Sequence, residues 1–106
     1  MRQAKVFYQS HLAGVLSEEE SGYRFSYDDD YLHSDHAMSI SLTMPIAQKE
    51  YTSNVLFPFF DGLIPEGWLL DISVQNWKID PRDRMGLLLT CCRDCIGAVS
   101  IESINE

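Results

Sequence analysis

The sequence is short of positive charge, of cysteine and of long apolar runs. Eight Lys and Arg stand against sixteen Asp and Glu, a formal net charge of -8 at pH 7. Neutralising phosphates takes clustered Lys and Arg. Here the bases are scattered, apart from Arg82 and Arg84, so direct binding to nucleic acid is not expected. The acidity suits either a basic protein partner met through long-range attraction or plain solubility. No apolar run approaches the roughly 20 residues of a membrane span. The apolar segment after Met1-Arg2-Gln3-Ala4-Lys5 is too short for a signal peptide. No membrane association is expected, and a cytoplasmic location follows. The three cysteines, Cys91, Cys92 and Cys95, are odd in number and crowded. That is no disulfide framework, and it suits a reducing compartment.

What is present is an ordinary globular composition, 45% hydrophobic and 11% aromatic over 106 residues. It is enough for one domain over residues 1–106 with its own core. The most apolar stretch, Val55 to Leu70, organises the rest. Val55, Phe59 and Leu63 recur at helical spacing beside Leu56 and Phe60, which predicts a helix burying that face. Proline lacks an N–H and fits only near a helix start, so Pro58 places that start at Ser53 to Leu56. Gly62 ends or loosens the helix, and Pro65 forbids simple continuation. Trp68 follows in a Pro-Glu-Gly turn, where a large ring is not automatically core.

Upstream, Lys5 to Gln9 reads as a strand and Ser10-His11 as a polar break. Leu12 to Leu16 gives a second strand and Glu18 to Gly22 a turn. Tyr23, Phe25 and Tyr27 then alternate with polar residues in a third strand. Asp28 to His36 is crowded with carboxylates and histidines. It lacks calcium-loop spacing, so a solvated loop or short helical turn is expected. Met38 to Met44 alternates apolar residues with Ser and Thr, which predicts a fourth strand. Pro45 stops it, and Ala47 to Thr52 reads as a surface connection. Downstream, Leu69, Leu70, Ile72 and Trp77 fit a second helix to about Lys78. Asp80 as N-cap and Pro81 open a third, which turns Met85, Leu88 and Leu89 inward. Ile96 to Ile101 reads as a final strand. The fold class expected is α+β, a curved antiparallel sheet of about five strands with about three helices packed on one side.

Catalysis has little to stand on. Cys91, Cys92 and Cys95 supply thiols and His11, His33 and His36 imidazoles, but nothing in their spacing brings them together. Cys92-Arg93-Asp94-Cys95 has C-x-x-C spacing across a helix end and a strand start, whereas redox motifs place the first Cys at a helix N-terminus. A single pair is also too few for a structural zinc site. The binding reading is better founded. A Trp beside a Pro-containing turn is a large anchor with little conformational freedom to lose, the residue type most enriched at interface hot spots. Ile64, Pro65, Glu66, Gly67, Trp68 and Leu69 are therefore the candidate partner-binding residues.

Three segments occur in a telling order: Ser39-Ile40-Ser41-Leu42; Val55 to Phe60 with Asp61-Gly62-Leu63-Ile64-Pro65-Glu66-Gly67; and Arg93-Asp94-Cys95-Ile96-Gly97-Ala98-Val99. Together they resemble the N-terminal subdomain of HipA-type kinases, the bacterial serine/threonine kinase toxins of toxin–antitoxin systems. The chain carries no Gly-rich phosphate loop, no H-R-D-like stretch and no D-F-G-like magnesium ligand. It is thus similar to a stand-alone version of that subdomain, the HipS-like antitoxins of tripartite HipBST systems. The resemblance implies an antitoxin that binds and inhibits a HipA-like, HipT-type serine/threonine kinase toxin. A helix-turn-helix DNA-binding protein would join the larger complex. It implies no enzymatic activity of the chain's own, no cofactor and no metal. The alternative is a structural adaptor subunit that docks the kinase onto the DNA-binding partner, and a free-standing thiol enzyme built on Cys95 is a third class.

Overall fold

Alternation in the first third of the sequence builds three consecutive antiparallel strands, as expected, in a computed structural model that describes residues 2–35, 37–64, 83–91 and 98–104. Strand β1 is Gln3–Tyr8, β2 is His11–Glu19 and β3 is Gly22–Tyr27. Helix α1, Asp29–Leu32, follows, then strand β4, Glu50–Ser53, and helix α2, Pro58–Asp61. Helix α3 is Arg84–Cys91 and strand β5 is Val99–Ser103. The strands form one open antiparallel sheet in the order β4-β3-β2-β1-β5. Among the described residues no helix is long and apolar enough to cross a membrane.

The inner face of the sheet is a set of cross-strand rows. Tyr51, Phe25, Leu16 and Ala4 stand opposite one another in turn, and a second row runs Tyr27, Gly14, Val6, Ile101. Gly14 is where the core needs an absent side chain. A Cβ there would lie 2.3 Å from the Ser26 carbonyl oxygen and 2.8 Å from the Phe25 ring. The register slips between Val6 and Phe7. Ala13 is left as the extra residue of a bulge, fully buried, with its carbonyl taking the Asp28 N–H at 2.7 Å. On this face Phe60 of α2 meets Phe25 at 5.6 Å between ring centroids. Met85, Leu87 and Leu88 of α3 complete the core with no exposure.

The first hairpin turns one residue earlier than expected. His11 already pairs with Tyr8, so Gln9 and Ser10 form a two-residue loop. Both have positive φ, 49° and 72°, as a type I′ turn demands, although neither is the Gly or Asn that adopts it most easily. The second strand also runs on through Glu19, so Glu18 and Glu19 belong to the ladder and only Glu20 and Ser21 turn.

The expected fourth strand over Met38 to Met44 is not one. That segment is a folded loop whose backbone groups find side-chain partners in place of a ladder. The Tyr27 hydroxyl accepts from Ile40 N–H at 3.1 Å and donates to the Met44 carbonyl. The Tyr31 hydroxyl accepts from Met38 N–H at 3.0 Å and donates to the Met38 carbonyl at 2.6 Å. Ser39 Oγ takes the Ile46 N–H and Ser41 Oγ the Thr43 N–H. Hydroxyl side chains compete with strand pairing in this way. The fourth strand is instead Glu50–Ser53, overlapping the stretch Ala47 to Thr52 read as a connection, because Tyr51 fills the inner face opposite Phe25.

Helix α2 starts at Pro58, with Pro58 at its first position as the missing N–H requires, and not at Ser53 to Leu56. Ser53 is held in the β4 ladder, and Val55, expected on the buried face, is 66% exposed. Leu56, Phe57, Phe60 and Ile64 are buried in its place. The last strand begins at Val99, later than Ile96. The expected second helix to Lys78, the Asp80-Pro81 helix start, Cys92 to Gly97 and His36 lie outside the described residues.

Candidate functional site

The candidate turn leaves the described structure at Ile64, and the chain returns at Asp83. The exit is a tapering helix end. Gly62 N–H bonds to the Pro58 carbonyl at 2.9 Å, Leu63 N–H to Phe60 at 3.0 Å and Ile64 N–H to Asp61 at 3.2 Å. The last two are the tighter bonds common at helix termini. Phe60 fixes this end by packing against Phe25, Phe57 and Phe59. Of the six candidate residues, Ile64 is in the core at 8% exposure. Pro65, Glu66, Gly67, Trp68 and Leu69 lie outside the described residues.

The return is held by two arginines. Arg84, first in α3, donates from Nε to Asp61 Oδ1 at 2.6 Å, so the end of α2 and the start of α3 are joined. One residue earlier Asp83 caps α3. Its carboxylate accepts the Gly86 N–H at 3.1 Å and its carbonyl the Leu87 N–H at 3.0 Å. The same carboxylate receives two N–H groups of Arg2, both at 2.8 Å. Arg2 also meets Glu18 of β2 through Nε at 2.8 Å and Nη2 at 2.7 Å. The guanidinium is thus forked onto two carboxylates, the geometry for which its planar donors are suited. Room for it comes from Gly86, where a Cβ would sit 2.5 Å from Asp83 Oδ2 and 3.2 Å from Arg2 Nη1.

The charges answer each other. Hydrogen bonds from Arg2 hold the Glu18 and Asp83 carboxyls below the usual carboxylate range, and the same bonds raise Arg2. Away from this frame, Lys49 at 2.7 Å holds Asp29 below its ordinary value. Burial pushes the Tyr27 hydroxyl up, so it remains a donor at neutral pH. A polar, open depression lined by Glu18 to Tyr23 and Asn54 lies at the β2–β3 turn, beside the Glu18 that the frame uses. Among the described residues no group of three or more His, Cys, Asp or Glu is placed to hold a metal ion. Asp28, one of the crowded loop carboxylates, caps α1 through Tyr31 N–H at 3.2 Å.

The chemistry of this frame is mechanical. It joins the sheet and two helices at the points where residues 65–82 begin and end. Sequence reasoning missed Arg2, Glu18, Asp61 and Asp83 as its parts. The closeness of Arg82 and Arg84 was the one visible signal, since Arg2 and Asp83 are 81 positions apart.

The family described as HipA N-terminal domain matches residues 4–102. An uncharacterized protein of Haemophilus influenzae is 37% identical over 106 residues, covering 100% of this chain and 96% of that protein. The putative kinase Y4mE of Sinorhizobium fredii is 22% identical over 102 residues, and the match spans 95% of this chain but 24% of the kinase. A solved structure, the N-terminal domain of HipA toxin, superposes with a TM-score of 0.78 at 33% identity over 100% of this chain and 95% of that one.

Proposed function

Because the chain belongs to the HipA N-terminal domain family, we propose that it works in the cytoplasm as an antitoxin, binding and inhibiting a HipA-type serine/threonine kinase. The observation that carries this is the extent of the matches. The Haemophilus influenzae relative is matched over 96% of its length, so that relative is essentially this one domain. In the putative kinase the same domain is 24% of the protein. In this reading a domain that forms one part of a kinase in one protein binds a kinase as a separate chain in another.

The inhibitory contact in this reading is the turn Ile64 to Leu69, with Trp68 as its anchor. Pro65 limits the freedom of the turn, so little ordering is needed on binding. Glu66 offers a charge to a Lys or Arg of a phosphate-handling cleft. Ile64, buried, would root the turn in the core while its neighbours make the contact. A central Trp contributes on the order of 2–4 kcal/mol, so Trp68→Ala should weaken kinase binding roughly 30- to 1000-fold and abolish suppression of toxicity in cells. A folded Trp68→Ala that still suppresses fully would show that inhibition uses another surface. Rescue in cells lacking any helix-turn-helix partner distinguishes inhibition from an adaptor role, which would need that third protein.

A further inference from the structure

The loop over residues 38–46 is held more firmly than a connection requires. Three tyrosines reach it from the sheet and α1. Tyr27 bonds Ile40 and Met44, Tyr31 bonds both polar backbone groups of Met38, and Tyr51 donates to the Pro45 carbonyl at 2.6 Å. Tyr27 and Tyr31 stack almost parallel, 4° between planes with centroids 6.2 Å apart. Ile40 and Met44 are driven into the core, and Ser41 and Thr43 close the turn between them with their hydroxyls 2.9 Å apart. The side chain carried at the apex of this rigid turn is Leu42, which is 100% exposed, and Met38 at its base is 53% exposed.

An aliphatic side chain wholly in water and pre-positioned in this way is an unfilled anchor. The backbone that carries it is already ordered by the fold, so binding need fix only the side chain itself. The charge of the chain on either side of it says what kind of surface it fits. Residues 28–50 carry five carboxylates, Asp28, Asp29, Asp30, Asp35 and Glu50, against the single Lys49. Lys49 is itself occupied by Asp29, and Asp30, Asp35 and Glu50 are exposed. A second copy of this acidic chain is therefore repelled, and a basic surface is attracted.

We propose that this loop is a second docking element, in which Leu42 enters an apolar pocket rimmed by Lys or Arg on the same kinase that the Trp68 turn is to inhibit. The inference rests on the kinase-binding reading and adds a contact formed by a different part of the chain. Purified full-length chain is titrated with the HipA-type kinase, and association is followed at 50 and 300 mM salt. Leu42→Asp should keep the wild-type melting curve, because the side chain touches nothing, and weaken binding at least about 30-fold. The pair Asp30→Lys and Asp35→Lys should slow association several-fold at 50 mM salt, with the difference shrinking at 300 mM. Wild-type affinity in Leu42→Asp, with Trp68→Ala impaired, overturns this second contact and leaves the functional reading standing. Failure of the wild-type chain to bind the kinase overturns both.

Discussion

Removing the Arg2 guanidinium should cost this domain much of its stability, although Arg2 is the second residue of the chain. Arg2→Ala deletes four charge-assisted hydrogen bonds and leaves Glu18 and Asp83 facing one another without a cation. A bond of that kind contributes about 1.5–3 kcal/mol when enclosed, and exposed ion pairs about 0–1. The side chains of Arg2, Glu18 and Asp83 are 39%, 27% and 36% exposed, so about 0.5–1 kcal/mol per bond is appropriate. The total is roughly 2–4 kcal/mol, a fall in Tm of about 8–30 °C for a domain of this size. Arg2→Lys keeps the charge but can give each carboxylate only one bond, so about half the loss is expected. The pH dependence has a definite sign. Both carboxyls sit below their ordinary values when folded. The clamp's contribution is therefore full above about pH 5 and is lost as pH falls through the depressed values. Urea unfolding of wild type and Arg2→Ala at pH 7 and pH 3 measures this. A gap below about 0.5 kcal/mol at pH 7, or one that persists undiminished at pH 3, would refute the clamp.

Two further substitutions follow from the same structure. Gly86→Ala, which stabilises an ordinary helix interior by about 1 kcal/mol, should here destabilise, because the new methyl displaces the Asp83 carboxylate and with it Arg2; a higher Tm would contradict this. Tyr27→Phe should cost about 2 kcal/mol and speed hydrogen exchange at the Ile40 amide, since it strands a buried N–H and a buried carbonyl; unchanged exchange would count against the role given to that hydroxyl.

The parts of the fold that were readable in the sequence are those fixed by neighbours along the chain. Tyr23, Phe25 and Tyr27 alternate because one face of β3 is buried, and Pro58 marks a helix start because it has no N–H. Residues 38–44 alternate just as regularly, but there the alternation misleads. Ser39 and Ser41 face backbone N–H groups within their own loop, and the deciding partners, the Tyr27 and Tyr31 hydroxyls, come from elsewhere in the chain. Periodicity records burial and not hydrogen bonding, so it could not separate the two. The frame around the candidate turn was hidden for the same reason. Arg2 carries no local mark of its destination, and Asp83 reads as one more acid. Trp68 and its neighbours were marked by composition alone, and only Ile64 among the six has a described position.

The pairing of β1 with β5 has a consequence for how the protein is made. Tyr8 lies against Val99 and Ala4 against Ser103, so β1, once made, must wait for a partner strand more than 90 positions further along the chain. At about 5–20 residues per second, that wait is roughly 5–20 s. Over that time β1 can pair with β2 on one side only, and its other edge, with the Gln3 carbonyl and the Gln9 N–H that later bond Ile104 and Ala98, stays open to any extended chain nearby. A nascent chain in this state is ready to accept a foreign strand, and it stops being so when β5 arrives.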